Sequence, residues 1–209
     1  MILPGSDPYL GRMLQLNKYV VFLVHYIFEL PLRILDVFGL PEIFNFFQRK
    51  LKPSSRELYE FESKLAQQIF ASSLDLSQVR IDESSHVGTH NGKYAYVSFY
   101  YINCKGMLQL PILIHEIVHI LQYEQDGSPY AFRNMIAHLV PPTYDYGGLG
   151  TIQAIVESPN KVHDLNYEQR ADIYSDYCLL LLGKRPEWGS ATLQDAMQYY
   201  KVIKLLNQG

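Results

Sequence analysis

Cysteine is scarce in this 209-residue chain: there are two, Cys104 and Cys178. Two cysteines cannot build the multi-bridge frame of a small disulfide-stapled domain. Both read instead as buried thiols, since free cysteine packs as a small hydrophobe. An excess of positive charge is missing as well. Eighteen Lys and Arg stand against 21 Asp and Glu, a net charge of −3, and no basic face emerges. Nucleic acid is therefore not an expected partner, because its binders concentrate Lys and Arg on one surface.

Long apolar runs are also lacking. The most apolar one, Tyr19 to Phe28 ("YVVFLVHYIF"), has ten residues and is closed by Lys18 and Glu29. That is well short of the roughly 20 residues needed to cross a bilayer, so no transmembrane span is expected. The opening "MILPGSDPYLGRML" has no basic n-region, no apolar h-region and no small-residue cleavage site. The expectation is synthesis in the cytoplasm, with any secretion by a route that cleaves no signal peptide. Internal repeats and low-complexity tracts are absent too.

What the chain does have is apolar and aromatic mass. Hydrophobic residues make up 48%, and there are 17 tyrosines. That suffices for one substantial core with an appended section. A Tyr-rich core must satisfy its hydroxyls.

Residues 1–52 form a distinct opening section, apolar in thick bands. Pro31, Gly39 and Pro41 are expected to break it into two or three short helices. It reads as a helical subdomain packed on the main body, or as an apolar surface for a partner or a membrane face. Next, "KPSSRELYEFESKLAQQIFASSL" predicts a helix. Ser54 and Glu57 fit a capping box, and Leu58, Phe61, Leu65 and Ile69 fit one apolar stripe. "SQVRIDES" and "KYAYVSFYYINC" predict two strands. The histidines between them, His86 and His90, sit among glycines and read as loop residues.

The stretch "LPILIHEIVHILQYEQDG" predicts a helix with Pro111 in its first turn and Gly127 just past its end. "SPYAFRNMIAHLV", "TIQAIVES", "NYEQRADIYSDYCLLLLG" and "TLQDAMQYYKVIKLL" predict four more helices. Asn166 would cap the third of these and Gly183 would stop it.

HEIVH carries the chemistry. Positions i and i+4 stack on one helix face, so His115 and His119 can share one metal ion. Glu116, about 100° round the axis, can reach a water on that metal and take its proton. A catalytic zinc needs three protein ligands and an open position. Glu168 is the expected third ligand. Asp172, one turn further on, can accept a hydrogen bond from the far ring nitrogen of a ligand histidine and fix its orientation. The bland alternative is two half-buried histidines and a surface glutamate. A closed structural zinc is disfavoured, because such sites recruit cysteines and neither cysteine lies near the motif in sequence.

HEIVH with Glu168-x-x-Ala171-Asp172 resembles the gluzincin branch of zinc metallopeptidases. Residues from about 75 to 183 resemble more closely the compact zincin domains encoded beside Rhs and Vgr proteins in bacterial type VI secretion and related injection loci. The shared features are a Tyr-rich strand before HExxH, Gln122 three residues after it, a Tyr144-x-Tyr146 loop and the segment Asn166 to Ala171. Residues 1–55 lie outside the resemblance. It implies a zinc-dependent endopeptidase of α+β fold: a zincin-like metallopeptidase domain over 53–209, mainly helical with a small mixed or antiparallel sheet. It also implies Zn²⁺ as cofactor, a protein or peptide substrate, and a secretion partner of the Rhs or Vgr type or an immunity protein.

In such enzymes the strand before the metal helix borders the cleft, and a substrate lies along it as an added strand. Here that strand is "YAYVSFYYI". Zincins also set a Tyr, His or Arg opposite the metal to steady the developing negative charge. Candidates are Tyr144, Tyr146, His138, His163 and Arg170. Tyr146 is favoured, because its Gly-rich loop precedes the third-ligand helix. The spacing between the two helices departs from thermolysin, where it is much shorter. Two other roles stay open: a non-catalytic zincin-fold adaptor of a secretion or toxin assembly, and a protease that processes its own chain.

Overall fold

In a computed structural model, residues 26–85, 95–139 and 141–207 are described. His86 and His90, and most of the apolar run from Tyr19, lie outside them. Residues 26–37 are helical (α1) and Leu40–Leu51 form α2. Pro31 is accommodated inside α1, and the break falls at Gly39, which takes a left-handed φ of 65°. Only glycine adopts that conformation without steric cost.

The body contains α3 (Glu60–Phe70), a small sheet, and then α4 (Leu110–Asp126), α5 (Pro129–Leu139), α6 (Gly148–Glu157), α7 (Tyr167–Leu181) and α8 (Ala196–Leu206). The class is mainly helical α+β with a mixed sheet. Its strands are β1 (Arg80–Asp82), β2 (Ala95–Ser98) and β3 (Tyr101–Cys104), in the order β1-β3-β2. β1 runs parallel to β3, and β2 runs antiparallel to it with Val97 opposite Ile102. The central strand β3 is buried along its whole length.

Two expectations need correction. The stretch from Lys93 to Cys104 is not one strand: it folds back at Phe99 and Tyr100 into the β2–β3 hairpin. No Gly or Asn marks that turn. Phe99 itself takes a φ of 56°, in the left-handed region that bulky residues avoid. Its ring is held there by Phe44, 5.4 Å away, and by Tyr123, 5.0 Å away.

The second correction concerns α3. Ser54 and Glu57 do not cap it, because residues just before it are drawn into the sheet. Arg56 and Ile81 exchange backbone hydrogen bonds at 2.9 and 2.8 Å. The helix therefore starts later, and Glu62 accepts the Tyr59 N–H at 2.7 Å. Its buried face is Glu62, Ala66, Ile69 and Phe70, while Phe61 is left exposed.

α4 and α7 pack side by side through the centre of the molecule, and one apolar cluster surrounds them. Ile117 and Ile120 from α4, Ile173 and Tyr174 from α7, and Val202 and Ile203 from α8 are all buried in it. Cys104 and Cys178 are free thiols in the same core. Several buried or half-buried tyrosine hydroxyls are paired: Tyr174 donates to Asn207 at 2.6 Å and Tyr167 to Asp126 at 2.6 Å. Tyr101 is an exception, with a buried hydroxyl that finds no hydrogen-bond partner. The α4–α7 packing sets His115 and His119 opposite the first turns of α7.

Candidate metal centre

α4 is buried on most sides, as its apolar sequence demands, and is open at its first turns and at Glu124 and Gln125 in its last. At the first turns Ile112, His115, Glu116 and His119 face a cleft of about 470 Å³. α7 begins at a capped end: Asn166 accepts the Gln169 N–H at 2.8 Å, and the Gln169 side chain accepts the Asn166 N–H at 3.0 Å. Fixing the helix start fixes where Glu168 and Asp172 project, one turn apart on the face toward α4.

The three expected ligands converge. His115 Nε2 lies 3.2 Å from His119 Nε2 and 3.1 Å from Glu168 Oε2, and His119 Nε2 lies 3.4 Å from Glu168 Oε1. Donors held about 2.0–2.1 Å from a tetrahedral zinc lie roughly 3.3 Å apart. The two imidazole nitrogens fit that figure, and each has one oxygen of the Glu168 carboxylate at such a distance, His115 the Oε2 and His119 the Oε1.

The far sides of both rings are tied down. His115 Nδ1 donates to Asp172 Oδ1 at 2.7 Å, and His119 Nδ1 donates to Gln122 Oε1 at 2.9 Å. Gln122 is itself oriented by donating to the Tyr167 carbonyl at 2.9 Å. With protons on both Nδ1 atoms, both Nε2 lone pairs turn inward. Glu168 presents its carboxylate to the same point, and its Oε1 is buried with no hydrogen bond. His138 Nε2 approaches that oxygen to 3.0 Å, close but without hydrogen-bond alignment.

These buried groups stabilise a positive charge between them, a proton on His115 Nε2 or a metal cation. Burial pulls the His115 imidazolium down, but Asp172 and Glu168 outweigh it and hold it up to about 10. Burial opposes the Glu168 carboxylate too, yet the two histidines hold it far below the usual carboxylate range. One divalent cation would serve all three groups at once. His115, His119 and Glu168 can therefore hold a metal ion.

Glu116 lies beside them, 7% exposed and lining the cleft. Burial pushes its carboxyl up, against the pull of His119 and His115. The opposite wall is β2, whose Ala95, Tyr96 and Val97 line the same cleft. Only this first half of the expected strand borders the site, and β2 is the edge strand of the sheet among the described residues.

Tyr146 is not at the cleft. It is 3% exposed in the core, donating to Asp176 Oδ2 at 2.5 Å with Tyr199 Oη 2.9 Å away. Two residues earlier in the same loop, Tyr144 does line the cleft, as does His138 from α5. Tyr144 Oη lies 3.4 Å from His138 Nδ1. His163 and Arg170 line no part of it. The Arg170 Nε–H is spent on the Leu165 carbonyl at 3.1 Å.

One contributor carried no sequence signal beyond being the single tryptophan. Trp188 Nε1 donates to Asp172 Oδ2 at 2.5 Å, on the side of that carboxylate away from His115. The Trp188 backbone is held in turn by Asp176, which accepts the N–H groups of Glu187 at 2.6 Å and Trp188 at 3.2 Å. No family model, curated protein or solved structure matches the chain, so the site is read from its own geometry.

Proposed function

We propose that the protein is a zinc-dependent endopeptidase. The observation that carries this reading is the convergence of His115, His119 and Glu168 at tetrahedral spacing, with Glu116 beside them in a cleft walled by a sheet edge. Two imidazoles and one carboxylate form a donor set used by catalytic zinc, and they leave a fourth position open. Zinc held by these three residues would polarise a scissile carbonyl and acidify a water molecule at the open position.

The remaining work falls to the chain. An extended peptide would lie along the free edge of β2, held by backbone hydrogen bonds. Glu116 would take the proton from the attacking water and pass it to the leaving amide nitrogen. A carboxyl raised by burial suits that exchange, because it holds a proton more readily than a solvated one. Asp172 and Gln122 keep the ligand lone pairs aimed inward. Tyr144 and His138 would donate to the carbonyl oxygen as negative charge grows on it.

The test is metal content and peptide cleavage by the purified full chain, wild type and Glu116→Gln. The expected result is one zinc per chain in both proteins, with cleavage of a mixed peptide library lowered at least about 100-fold in the variant. A wild type without stoichiometric zinc overturns the reading. Zinc with no cleavage by wild type assigns the fold to a binding role. Equal cleavage by both proteins removes Glu116 from the chemistry.

A further inference from the structure

α1 and α2 are amphipathic in the inverted sense. Four polar side chains on or next to them point at the protein, while most apolar ones are left at the solvent; Phe28 and Phe44, which pack on Phe132 and Phe99, are exceptions. Glu29 is 9% exposed and accepts two hydrogen bonds from Arg133 at 2.8 and 2.9 Å. Asp36, two turns on, accepts from the Ser128 N–H and hydroxyl. On α2, buried Gln48 donates to Ser98 Oγ at 2.7 Å, and Lys52 just beyond it donates to Asn103 and pairs with Asp82. The outward positions hold Val37 (83% exposed), Phe38 (70%), Phe46 (56%), Phe47 (54%) and Leu51 (78%).

A surface helix in water normally turns its apolar stripe to the core. The reverse pattern over two consecutive helices indicates that the outer face meets an apolar medium. We infer that this face seats on a lipid bilayer surface, with α1 and α2 lying in the interface.

Three observations favour a bilayer over a protein partner. The apolar side chains spread along both helices and the turn between them, as a fluid surface accepts. A protein interface gathers a few anchors inside a polar rim. The sequence leading into α1 continues in the same character, from Tyr19 to Phe28. The exposed charges on the two helices are mainly basic: Lys50, Arg33 (paired with Glu29 at 3.4 Å) and Arg49 (donating to Gln78 at 2.9 Å) stand against Glu42, while Glu29 and Asp36 are tied inward. Basic flanks complement anionic headgroups. Neither α2 nor the described part of α1, residues 26–37, is long enough to cross a bilayer, and the proposal lays both on its surface. The inference does not rest on the peptidase reading, since none of these residues lines the metal cleft.

The test is flotation of the full chain with vesicles of phosphatidylcholine alone and with one-third phosphatidylglycerol. Wild type is expected to float with the vesicles, more strongly with the anionic ones and less strongly at high salt. Phe38→Glu with Phe47→Glu should lower partitioning at least about tenfold, because each ring loses its lipid contact. Both positions are exposed, and unchanged helical circular dichroism verifies the fold. If that pair unfolds the chain, Phe38→Ser with Phe47→Ser is read in its place. Wild type that stays with the soluble fraction overturns the inference, as do variants that float as well as wild type. A dimer in sedimentation that the same substitutions dissociate, with no vesicle binding, assigns the face to a second copy.

Discussion

Trp188 and His115 grip the same carboxylate from opposite sides. The indole N–H binds Asp172 Oδ2 at 2.5 Å and the imidazole Nδ1–H binds Oδ1 at 2.7 Å. The tryptophan is thus two hydrogen bonds from a candidate metal ligand, though 73 residues separate them in sequence. Replacing it should loosen the orientation of His115. Trp188→Phe is expected to weaken zinc affinity by about tenfold, the usual scale for a lost partner of a ligand. Because Trp188 is the only tryptophan, its emission should also change as zinc is added to the metal-free wild type. Unchanged emission and unchanged affinity together would show that the indole does not steer the ligand.

Gly148 tests the same support from its other end. It takes a φ of 63°, and a Cβ there would meet the Trp188 carbonyl oxygen at 2.9 Å. That neighbour is backbone and cannot swing aside. Gly148→Ala should displace the Trp188 loop and weaken zinc binding, with a loss of stability of about 1–3 kcal/mol from strain and displacement. Zinc titration and thermal unfolding read the two effects separately.

The two tyrosines of one loop should part company. If the peptidase reading holds, Tyr144→Phe is expected to lower kcat about tenfold or more, with zinc content intact, since Tyr144 lines the cleft beside His138. Tyr146→Phe should leave cleavage within about twofold and cost roughly 1–3 kcal/mol of stability, because it strips a buried hydrogen bond from Asp176. The opposite pattern would return the catalytic role to Tyr146.

Sequence spacing found His115, Glu116, His119, Glu168 and Asp172 because helical periodicity ties position to direction, and both helices are long and well bounded. It did not show which tyrosine of the loop borders the cleft, Tyr144 and not the favoured Tyr146. In a loop, two residues two apart can point anywhere, and the core contact with Asp176 decided it. It missed the β2–β3 hairpin because aromatic packing around Phe99 stands where a turn-forming residue would have signalled. It missed Trp188 because no local pattern links a residue after α7 to an acid inside it. The capping box at Ser54 failed for a related reason: pairing of Arg56 with Ile81 is a long-range event that overrode a local preference.

Asp176 gives the protein a pH dependence of defined sign. Burial raises its carboxyl from 3.8 to about 6, against hydrogen bonds from Tyr146, Glu187 and Trp188. The folded state therefore holds this proton more tightly than the unfolded chain does. Its contribution to stability is complete below about pH 4 and is lost as pH rises through about 6. The full difference is on the order of 3 kcal/mol. In thermal unfolding across that window, wild type minus Asp176→Asn should show stability falling with pH. A flat difference would mean that the three donors keep the carboxylate charged throughout.

α1 and α2 are fastened to the rest by ion pairs, hydrogen bonds and a few ring contacts, and the apolar core begins only at Leu58. Polar fastenings set position but add little to the drive for collapse. The two helices therefore act as a clip on a core they do not enter, closing over it at the rings Phe28 on Phe132 and Phe44 on Phe99.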